Sequence, residues 1–196
     1  VQILSPFREK GEAASEQLNR AIRERVNPFR SAEEEEKIGS RIFRVHDRVM
    51  QTKNTEKVSN GDLGFITEIT TNSKGERLVQ MDFGGDRKLT YTPEQLAHVD
   101  LAYATTIHKA MGSEFETVII PIVKAHTIML YRNLLYTAVT RAKKKVILVG
   151  HKPILFMAVH RADISRRNTM LGERIRLYCK AYHTERNALP ELQQAG

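Results

Sequence analysis

The stretch LAYATTIHKAMGSEFETVIIPIVKAHTIMLYRNLLYTAVTRAKKKVILVG, residues 101–150, decides the fold of this chain. Two polar clusters within it, ATTIHKAMGSEF and YTAVTRA, lie between apolar runs. The runs TVIIPI (117–122) and VILV (146–149) are β-branched without alternation, which is typical of buried strands. Apolar residues at helical spacing predict a helix over 129–143, and TTIHKAMG (105–112) predicts a turn leading into a brief helix. Strands that alternate with helices predict a parallel sheet with the polar clusters at its strand ends.

The N-terminal segment, residues 1–40, reads as the first part of the same α/β unit. Residues 1–4 form an apolar run that predicts a strand, and a polar turn separates it from a helix that AsnPro at 27–28 ends. Because the apolar run starts at the first residue, we expect the chain to begin partway through a larger protein. The charged stretch 29–40, with four glutamates at 33–36, predicts a solvated linker rather than a metal site.

Residues 41–97, between the two α/β segments, have a different texture. Four β-rich runs, DRVMQT, GFITEIT, RLVQMDF and RKLTYT, are separated by turn signals such as AsnSerLysGly at 72–75. Closely spaced short strands with tight turns predict a small barrel inserted into the α/β domain. After it, LAYA (101–104) predicts a short strand at which the α/β pattern returns, and the remainder of the domain is expected over 98–160.

The net charge of +8 is concentrated near the C-terminal end. Residues 141–196 hold 12 Lys/Arg and 4 Asp/Glu, whereas the residues before them hold 19 of each. A basic segment can bind phosphate backbones, and a solvated basic helix is the equally weighted alternative. We therefore expect a basic helical tail over 161–196.

Composition limits the class of protein. A hydrophobic fraction of 41% supports a packed core and argues against global disorder. The single cysteine, Cys179, excludes an internal disulfide framework and a cysteine-based zinc cluster. No apolar run approaches the roughly 20 residues that span a bilayer, and no signal peptide opens the chain. A soluble, cytoplasmic protein without membrane association is the expectation.

Arg141 is the sharpest candidate for chemistry. It follows the predicted helix and directly precedes a lysine run and a predicted buried strand. Its planar guanidinium could reach a phosphate presented by another domain and neutralise developing charge. An ion pair with a surface carboxylate is the alternative, and spacing alone favours it.

The first polar cluster offers Thr105, Thr106, His108 and Lys109 within five residues. Hydroxyls and backbone amides at a helix N-terminus suit phosphate oxygens, although a capping role for either threonine is the simpler alternative. No Ser or Cys nucleophile with a plausible partner stands out, which argues against His108 as a general base. Glu114, just before a buried strand, could accept hydrogen bonds from ribose hydroxyls, with capping or a surface ion pair as the alternative.

One absence limits the function. The pattern GxxxxGK[ST] does not occur, and no AspGlu pair follows an apolar strand. The sequence therefore contains no phosphate-cradling loop and no evident magnesium ligand. We expect it to be incomplete as a P-loop ATPase.

Taken together, these segments resemble the second RecA-like motor lobe of a superfamily 1 helicase of the RecD-like, 5′-to-3′ class (the RecD/TraA family). VQILSPFREKG, with LeuAsn at 18–19 and AsnPro at 27–28, resembles motif IV and its helix, and DRVMQTKN through NGDLG resembles an inserted SH3-like barrel. ATTIHKAMGSEF and LYTAVTRA resemble motifs V and VI, and RNTML (167–171) resembles the closing helix. The implied fold is α/β, with a RecA-like parallel sheet, flanking helices and an inserted small SH3-like β-barrel.

The resemblance also implies residue roles. Arg141 would be the catalytic arginine finger that reaches the γ-phosphate of ATP, with Gly112 and Glu114 on the nucleotide side. ATP and Mg²⁺ would be held by an N-terminal lobe that carries the Walker A loop. Met111 stands where the family usually has glutamine, which puts the coupling between nucleotide and DNA in doubt. The implied DNA-binding residues are Ser5, Pro6, Lys53, Asn54, Asn60, Thr105, Thr106, His108 and Lys109.

The resemblance thus implies part of an ATP-dependent DNA helicase that is inactive as a fragment. Its expected partners are single-stranded DNA, a duplex fork, the N-terminal RecA-like lobe of the same protein and nuclease subunits. Two alternatives stay open. One is the helicase portion of a conjugative relaxase, and the other is a non-catalytic lobe that serves as a DNA-binding or protein-interaction module.

Overall fold

A computed structural model describes residues 1–161 and 170–188 of the chain. The chain divides into two compact units, 1–163 and 164–196. The described part of the second unit is essentially one helix, α4 (Leu171–Ala188), which lies in the predicted basic tail. Residues 167–169 of the RNTML segment lie outside the described residues. None of the helices that the structure describes is long and apolar enough to cross a membrane.

A four-stranded parallel sheet forms the centre of the first unit, in the order β11-β10-β1-β9. All three strand pairings are parallel, which confirms the predicted sheet. Leu4, Val118 and Ile120 are completely buried in its core. The strands are β1 (Gln2–Ser5), β9 (Ala104–Thr106), β10 (Phe115–Ile122) and β11 (Ala142–Gly150).

Three helices accompany this sheet. They are α1 (Ser15–Val26), α2 (Arg132–Val139) and α3 (Lys152–His160). Helix α1 ends before AsnPro as predicted, because proline lacks the backbone N–H that a helix interior requires. Helix α2 is shorter than predicted at both ends, since a 3-10 turn at Lys124–His126 precedes it and the chain turns into β11 soon after Val139.

A five-stranded antiparallel sheet with its own core forms the predicted barrel region, in the order β7-β6-β5-β4-β8. Phe43, Ile66, Val79 and Met81 are buried there. The turn predicted at 72–75 joins β5 to β6, and Gly75 adopts a positive φ of 81° in it. The strands are β4 (Arg48–Gln51), β5 (Leu63–Thr71), β6 (Arg77–Asp82), β7 (Lys88–Tyr91) and β8 (Val99–Leu101).

The charged stretch 29–40 is not the solvated linker that was predicted. Within it, β2 (Glu35–Ile38) pairs antiparallel with β3 (Arg41–Arg44). Glu35 lies 2.7 Å from Nε of Arg44, and Glu36 lies 2.8 Å from Nε of Arg77. The prediction was wrong because these carboxylates neutralise arginines on other strands, which local sequence does not reveal.

Three further predictions around the sheet require correction. The strand predicted at 101–104 is two strands in different sheets, since β8 pairs with β4 whereas β9 pairs with β1. The brief helix predicted after TTIHK is a series of turns over 107–112, because the chain must reverse there to reach β10. The run VILV is not a buried strand: β11 lies at the sheet edge, and Leu148 and Val149 are 41% and 53% exposed.

Candidate functional site

Strand register divides the predicted site residues between two edges of the parallel sheet. Ser5, at the end of β1, pairs with Thr106 at the end of β9, so both lie at the carboxyl edge. Glu114 directly precedes β10 and Arg141 directly precedes β11, two strands that pair from their first residues. These two therefore lie at the amino edge. Of the two clusters, only the first follows the carboxyl ends of strands, where ligands of open α/β sheets usually bind.

Arg141 is half-buried and held by neutral oxygens. Its Nε donates to the Thr137 carbonyl at 3.3 Å, and Nη1 donates to the Ser113 carbonyl at 3.3 Å. Nη2 lies 3.4 Å from Oγ1 of Thr140. These distances are near the outer limit for hydrogen bonds, so each contact is weak. No carboxylate among the described residues forms an ion pair with Arg141, which argues against the surface-pair alternative.

Gly112 and Glu114 lie beside this guanidinium, because Ser113 between them accepts its hydrogen bond. Gly112 is exposed and has a φ of 87°, a conformation that favours glycine. Glu114 is exposed and lies 3.2 Å from Nζ of Lys143. An ion pair of such exposure contributes at most about 1 kcal/mol to stability. The three predicted nucleotide-side residues are thus brought together, and Glu114 makes the surface pair named as its alternative.

The hydroxyls at the carboxyl edge are already engaged with the backbone. Buried Ser5 donates from Oγ to the Ala13 carbonyl at 2.7 Å and accepts from the Phe7 amide at 3.3 Å. Oγ1 of Thr106 accepts from the Lys109 amide at 3.2 Å, a capping-type contact. Pro6 and Thr105 are buried as well, whereas His108 is exposed. The predicted DNA contacts at this edge therefore differ in accessibility.

Lys109 belongs to a charge cluster that sequence reasoning missed. Its Nζ lies 2.9 Å from a carboxylate oxygen of Asp100, on β8. Nη1 of Arg41 lies 3.5 Å and Nη2 of Arg8 lies 3.8 Å from the same carboxylate. Arg8 also hydrogen-bonds Glu16 at 2.7 Å, which raises the pKa of Arg8. Since these residues come from four separate segments, no local pattern marks the cluster.

A cavity of about 550 Å³ adjoins this cluster, between α1, the carboxyl edge and the antiparallel sheet. Thr105, Thr106 and Lys109 line it on the side of the parallel sheet. Five cationic side chains and three acidic ones contribute to its wall. A cationic cleft of this kind suits the phosphate backbone of a nucleic acid.

Helix α1 fixes the barrel region against the parallel sheet through a polar face. Asn19 donates to the carbonyls of Leu101 and Ala104 at 3.0 and 2.9 Å, and it accepts from the Ala104 amide at 2.7 Å. Two turns further on, Asn27 donates to Asp47 at 2.9 Å, and burial raises the pKa of that aspartate. The start of β9, and with it the threonine pair, is therefore positioned by α1. LeuAsn at 18–19 is the sequence signal that marked this region.

The predicted barrel contacts lie on the loop between β4 and β5. Lys53, Asn54 and Asn60 are all exposed, and Oδ1 of Asn54 accepts from the Asn60 amide at 2.7 Å. Buried Val58 anchors the loop. None of the three predicted residues lines the 550 Å³ cavity. They lie on a separate, exposed part of the surface.

Two protein-family models match the chain. Residues 101–149 match the UvrD-like helicase C-terminal domain, and residues 18–83 match the SH3 domain of ATP-dependent RecD-like DNA helicases. The match at 101–149 includes both polar clusters and both sheet edges.

Curated relatives agree with these matches. The chain is 38% identical over 180 residues to the ATP-dependent RecD2 DNA helicase of Deinococcus radiodurans, covering 91% of this chain and 24% of that protein. It is 38% identical over 122 residues to the RecBCD enzyme subunit RecD of Mycobacterium tuberculosis, covering 62% and 20%. It is 30% identical over 168 residues to the conjugal transfer protein TraA of Agrobacterium fabrum, covering 81% and 14%. The chain thus spans a quarter or less of each.

A solved structure of the Pif1 helicase, described as unwinding forked double-stranded DNA, has a similar fold. The TM-score is 0.51 at 19% identity, and the match covers 93% of this chain and 44% of that one. A RecA-like helicase fold with an SH3-like insertion accounts for the parallel sheet and for the five-stranded antiparallel sheet of the first unit. The chain therefore belongs with the RecD-like DNA helicases, of which it carries a UvrD-like C-terminal helicase domain and the RecD-like SH3 domain.

Proposed function

We propose that this chain is the second motor lobe of an ATP-dependent 5′-to-3′ DNA helicase. It supplies the arginine finger and part of the track for single-stranded DNA. The N-terminal RecA-like lobe of the same protein carries the Walker A loop and presents the γ-phosphate of ATP. Closure of the two lobes brings Arg141 to that phosphate, and reopening after hydrolysis shifts the lobes along the strand.

The observation that carries this proposal is the state of Arg141. Its guanidinium makes three long contacts to neutral oxygens and has no carboxylate partner among the described residues. The positive charge is therefore uncompensated locally, and the guanidinium is oriented by weak contacts that a phosphate can replace. This is the arrangement that a finger acting across a domain interface requires.

The DNA track is assigned to the opposite edge of the sheet. Thr105, Thr106 and Lys109 lie on the wall of a cationic cavity, and His108 is exposed beside them. Lys53, Asn54 and Asn60 form an exposed loop that we assign to the fork, where the duplex is split. Contacts to the backbone make binding salt-dependent and largely independent of base sequence.

Mg²⁺ is assigned to the other lobe. Among the described residues, no group of three or more His, Cys, Asp or Glu side chains is placed to hold a metal ion. The described residues therefore offer no magnesium site of their own.

Substituting Arg141 in the intact protein tests the proposal. Arg141→Ala is expected to lower the rate of ATP hydrolysis by about a thousandfold or more, as loss of an arginine finger does, while single-stranded DNA binding is retained. Lys144→Ala is the matched control, because Lys144 is an exposed cation three residues away whose partner is Glu116. Unchanged turnover in Arg141→Ala would falsify the finger assignment.

A second candidate is the helicase portion of a conjugative relaxase, favoured by the similarity to TraA. A tyrosine-based nicking domain, if found in the same polypeptide, would establish this candidate. The similarity to a RecBCD subunit favours nuclease partner subunits instead. A non-catalytic DNA-binding module is the third reading, and DNA release by the intact protein that responds to ATP decides against it.

A further inference from the structure

Three cations that border the carboxyl edge converge on one carboxylate. Asp100 lies 2.9 Å from Lys109, 3.5 Å from Arg41 and 3.8 Å from Arg8. The side chains of Lys109 and Asp100 are 35% and 22% exposed, so this pair is partly shielded from water. Its attraction is therefore stronger than that of a fully exposed pair.

The cluster borders the cavity at the carboxyl edge rather than lying on an open surface. Asp100, its three cations and Thr106 all line the cavity. Arg23 lines it too, and the buried Nε of this arginine has no hydrogen-bond partner. The guanidinium of Arg23 is paired with Glu24 at 3.2 Å, so the anion-binding capacity of this wall rests on Lys109, Arg41 and Arg8.

We propose that Asp100 is an internal competitor for the phosphate backbone at this cavity. Without nucleic acid, its carboxylate binds the three cations through two anionic oxygens, as a phosphate group would. A phosphate that enters the cavity takes Lys109 from Asp100. This inference rests on the proposed function, since it concerns how binding to the proposed DNA track is regulated.

The competition sets the affinity of the cavity for a phosphate backbone. In the resting chain, Lys109 is paired with Asp100 at 2.9 Å. Binding of a phosphate leaves Asp100 with Arg41 and Arg8, of which Arg8 is shared with Glu16 at 2.7 Å. The lost contact between Lys109 and Asp100 offsets part of the binding energy. Removing the carboxylate charge removes this offset, while the number of cations that bind the strand stays the same.

Asp100→Asn in the intact protein tests the inference, with an oligo-dT strand as probe and no nucleotide present. We expect the Kd to fall by about two- to fivefold at moderate salt. The slope of log K against log salt changes little, because Lys109 contacts a phosphate in both proteins and the number of phosphate contacts is the same. In a Lys109→Ala background, the same substitution gives no gain. Asp100→Ser repeats the measurement if the asparagine variant fails to fold.

Glu116→Gln is the matched control, because it also removes one carboxylate paired with a lysine, at 2.6 Å, on an exposed part of the same unit. An unchanged or raised Kd in Asp100→Asn overturns the inference. A gain of equal size in Glu116→Gln, or a gain that persists without Lys109, overturns it too, since the effect is then general charge. If the wild-type protein binds no single strand even at low salt, the proposed function fails, and the inference with it.

Discussion

Lys109 and Arg141, which lie at opposite edges of the parallel sheet, differ in how their charges are compensated. At the carboxyl edge, Lys109 is paired with Asp100 at 2.9 Å, and the Ser5 and Thr106 hydroxyls are engaged with the backbone. At the amino edge, Arg141 has only long contacts to neutral oxygens. The charge of Lys109 is compensated by a carboxylate, whereas that of Arg141 has no carboxylate partner among the described residues.

The difference indicates two kinds of anion binding. A compensated cluster exchanges one anion for another, so its net gain is small and its occupancy is easily reversed. A guanidinium without a carboxylate partner gains the full interaction when a phosphate arrives, so its effect depends on whether a phosphate is presented to it. Weak, repeated contact suits a track along which a strand must slide, and a conditional contact suits a chemical step.

The experiment on Arg141 is the strongest test of this contrast, and Gly150→Ala is the strongest test of the scaffold beneath the carboxyl edge. Gly150 ends β11 with a φ of 141°, and an added Cβ would lie 2.0 Å from the Ile122 carbonyl oxygen. We expect the free energy of unfolding to fall by about 1–3 kcal/mol, measured by chemical denaturation. Gly39→Ala is the control, because Gly39 has a φ of 59° but open space around it. Equal losses in both variants would show that close packing at this edge is not responsible.

A fall in pH should destabilise the folded protein through His126, which lies at the carboxyl edge. This residue follows β10 and is completely buried, with its ring centroid 5.7 Å from that of Phe7. Among the described residues, neither ring nitrogen has a partner in hydrogen-bonding geometry. Burial lowers its pKa and outweighs an opposing contribution from the Pro121 backbone. The unfolded chain therefore binds a proton more readily, and stability is lost as the pH falls from about 6.5 toward the lowered pKa.

His126→Phe should flatten that part of the stability profile, because the ring is kept and the titrating nitrogens are removed. Denaturation midpoints between pH 7.5 and 5 are the measurement. His98→Gln serves as control, since His98 is exposed. A profile that keeps its slope in His126→Phe would assign the acid sensitivity elsewhere.

The smallest effect is expected at Glu114, on the amino edge. Removing its exposed pair with Lys143 by Glu114→Gln should change the free energy of unfolding by less than about 1 kcal/mol. If the residue faces the nucleotide in the intact protein, the KM for ATP rises while kcat changes little. Glu116→Gln removes an equally exposed carboxylate with a lysine partner and should leave KM unchanged. Matching KM values for the two variants would remove Glu114 from the nucleotide side.

Local sequence pattern was sufficient to predict many helices, strands and turns, but it was insufficient to predict which strands and side chains they contact. The turn at 72–75 and the end of α1 before AsnPro were predicted, because turn and stop residues act within a few positions. The strand VILV was correctly located, but its exposure was not, since being at a sheet edge depends on strand order. Glu35 and Glu36 were misread for the same reason, as their arginine partners are nine and 41 positions away.

By itself, the sequence determined the alternation of β and α segments, the β-rich insertion between them and the two motif-like clusters. Each of these is expressed in residue type and short spacing. Only the tertiary structure decided that the first cluster runs from the carboxyl edge to the amino edge of one sheet, where it meets the second. It alone also decided that Arg141 lacks a carboxylate among the described residues and that Asp100 gathers Lys109, Arg41 and Arg8. Register and charge pairing join residues that are remote in the chain, and they arise only when the strands are placed side by side.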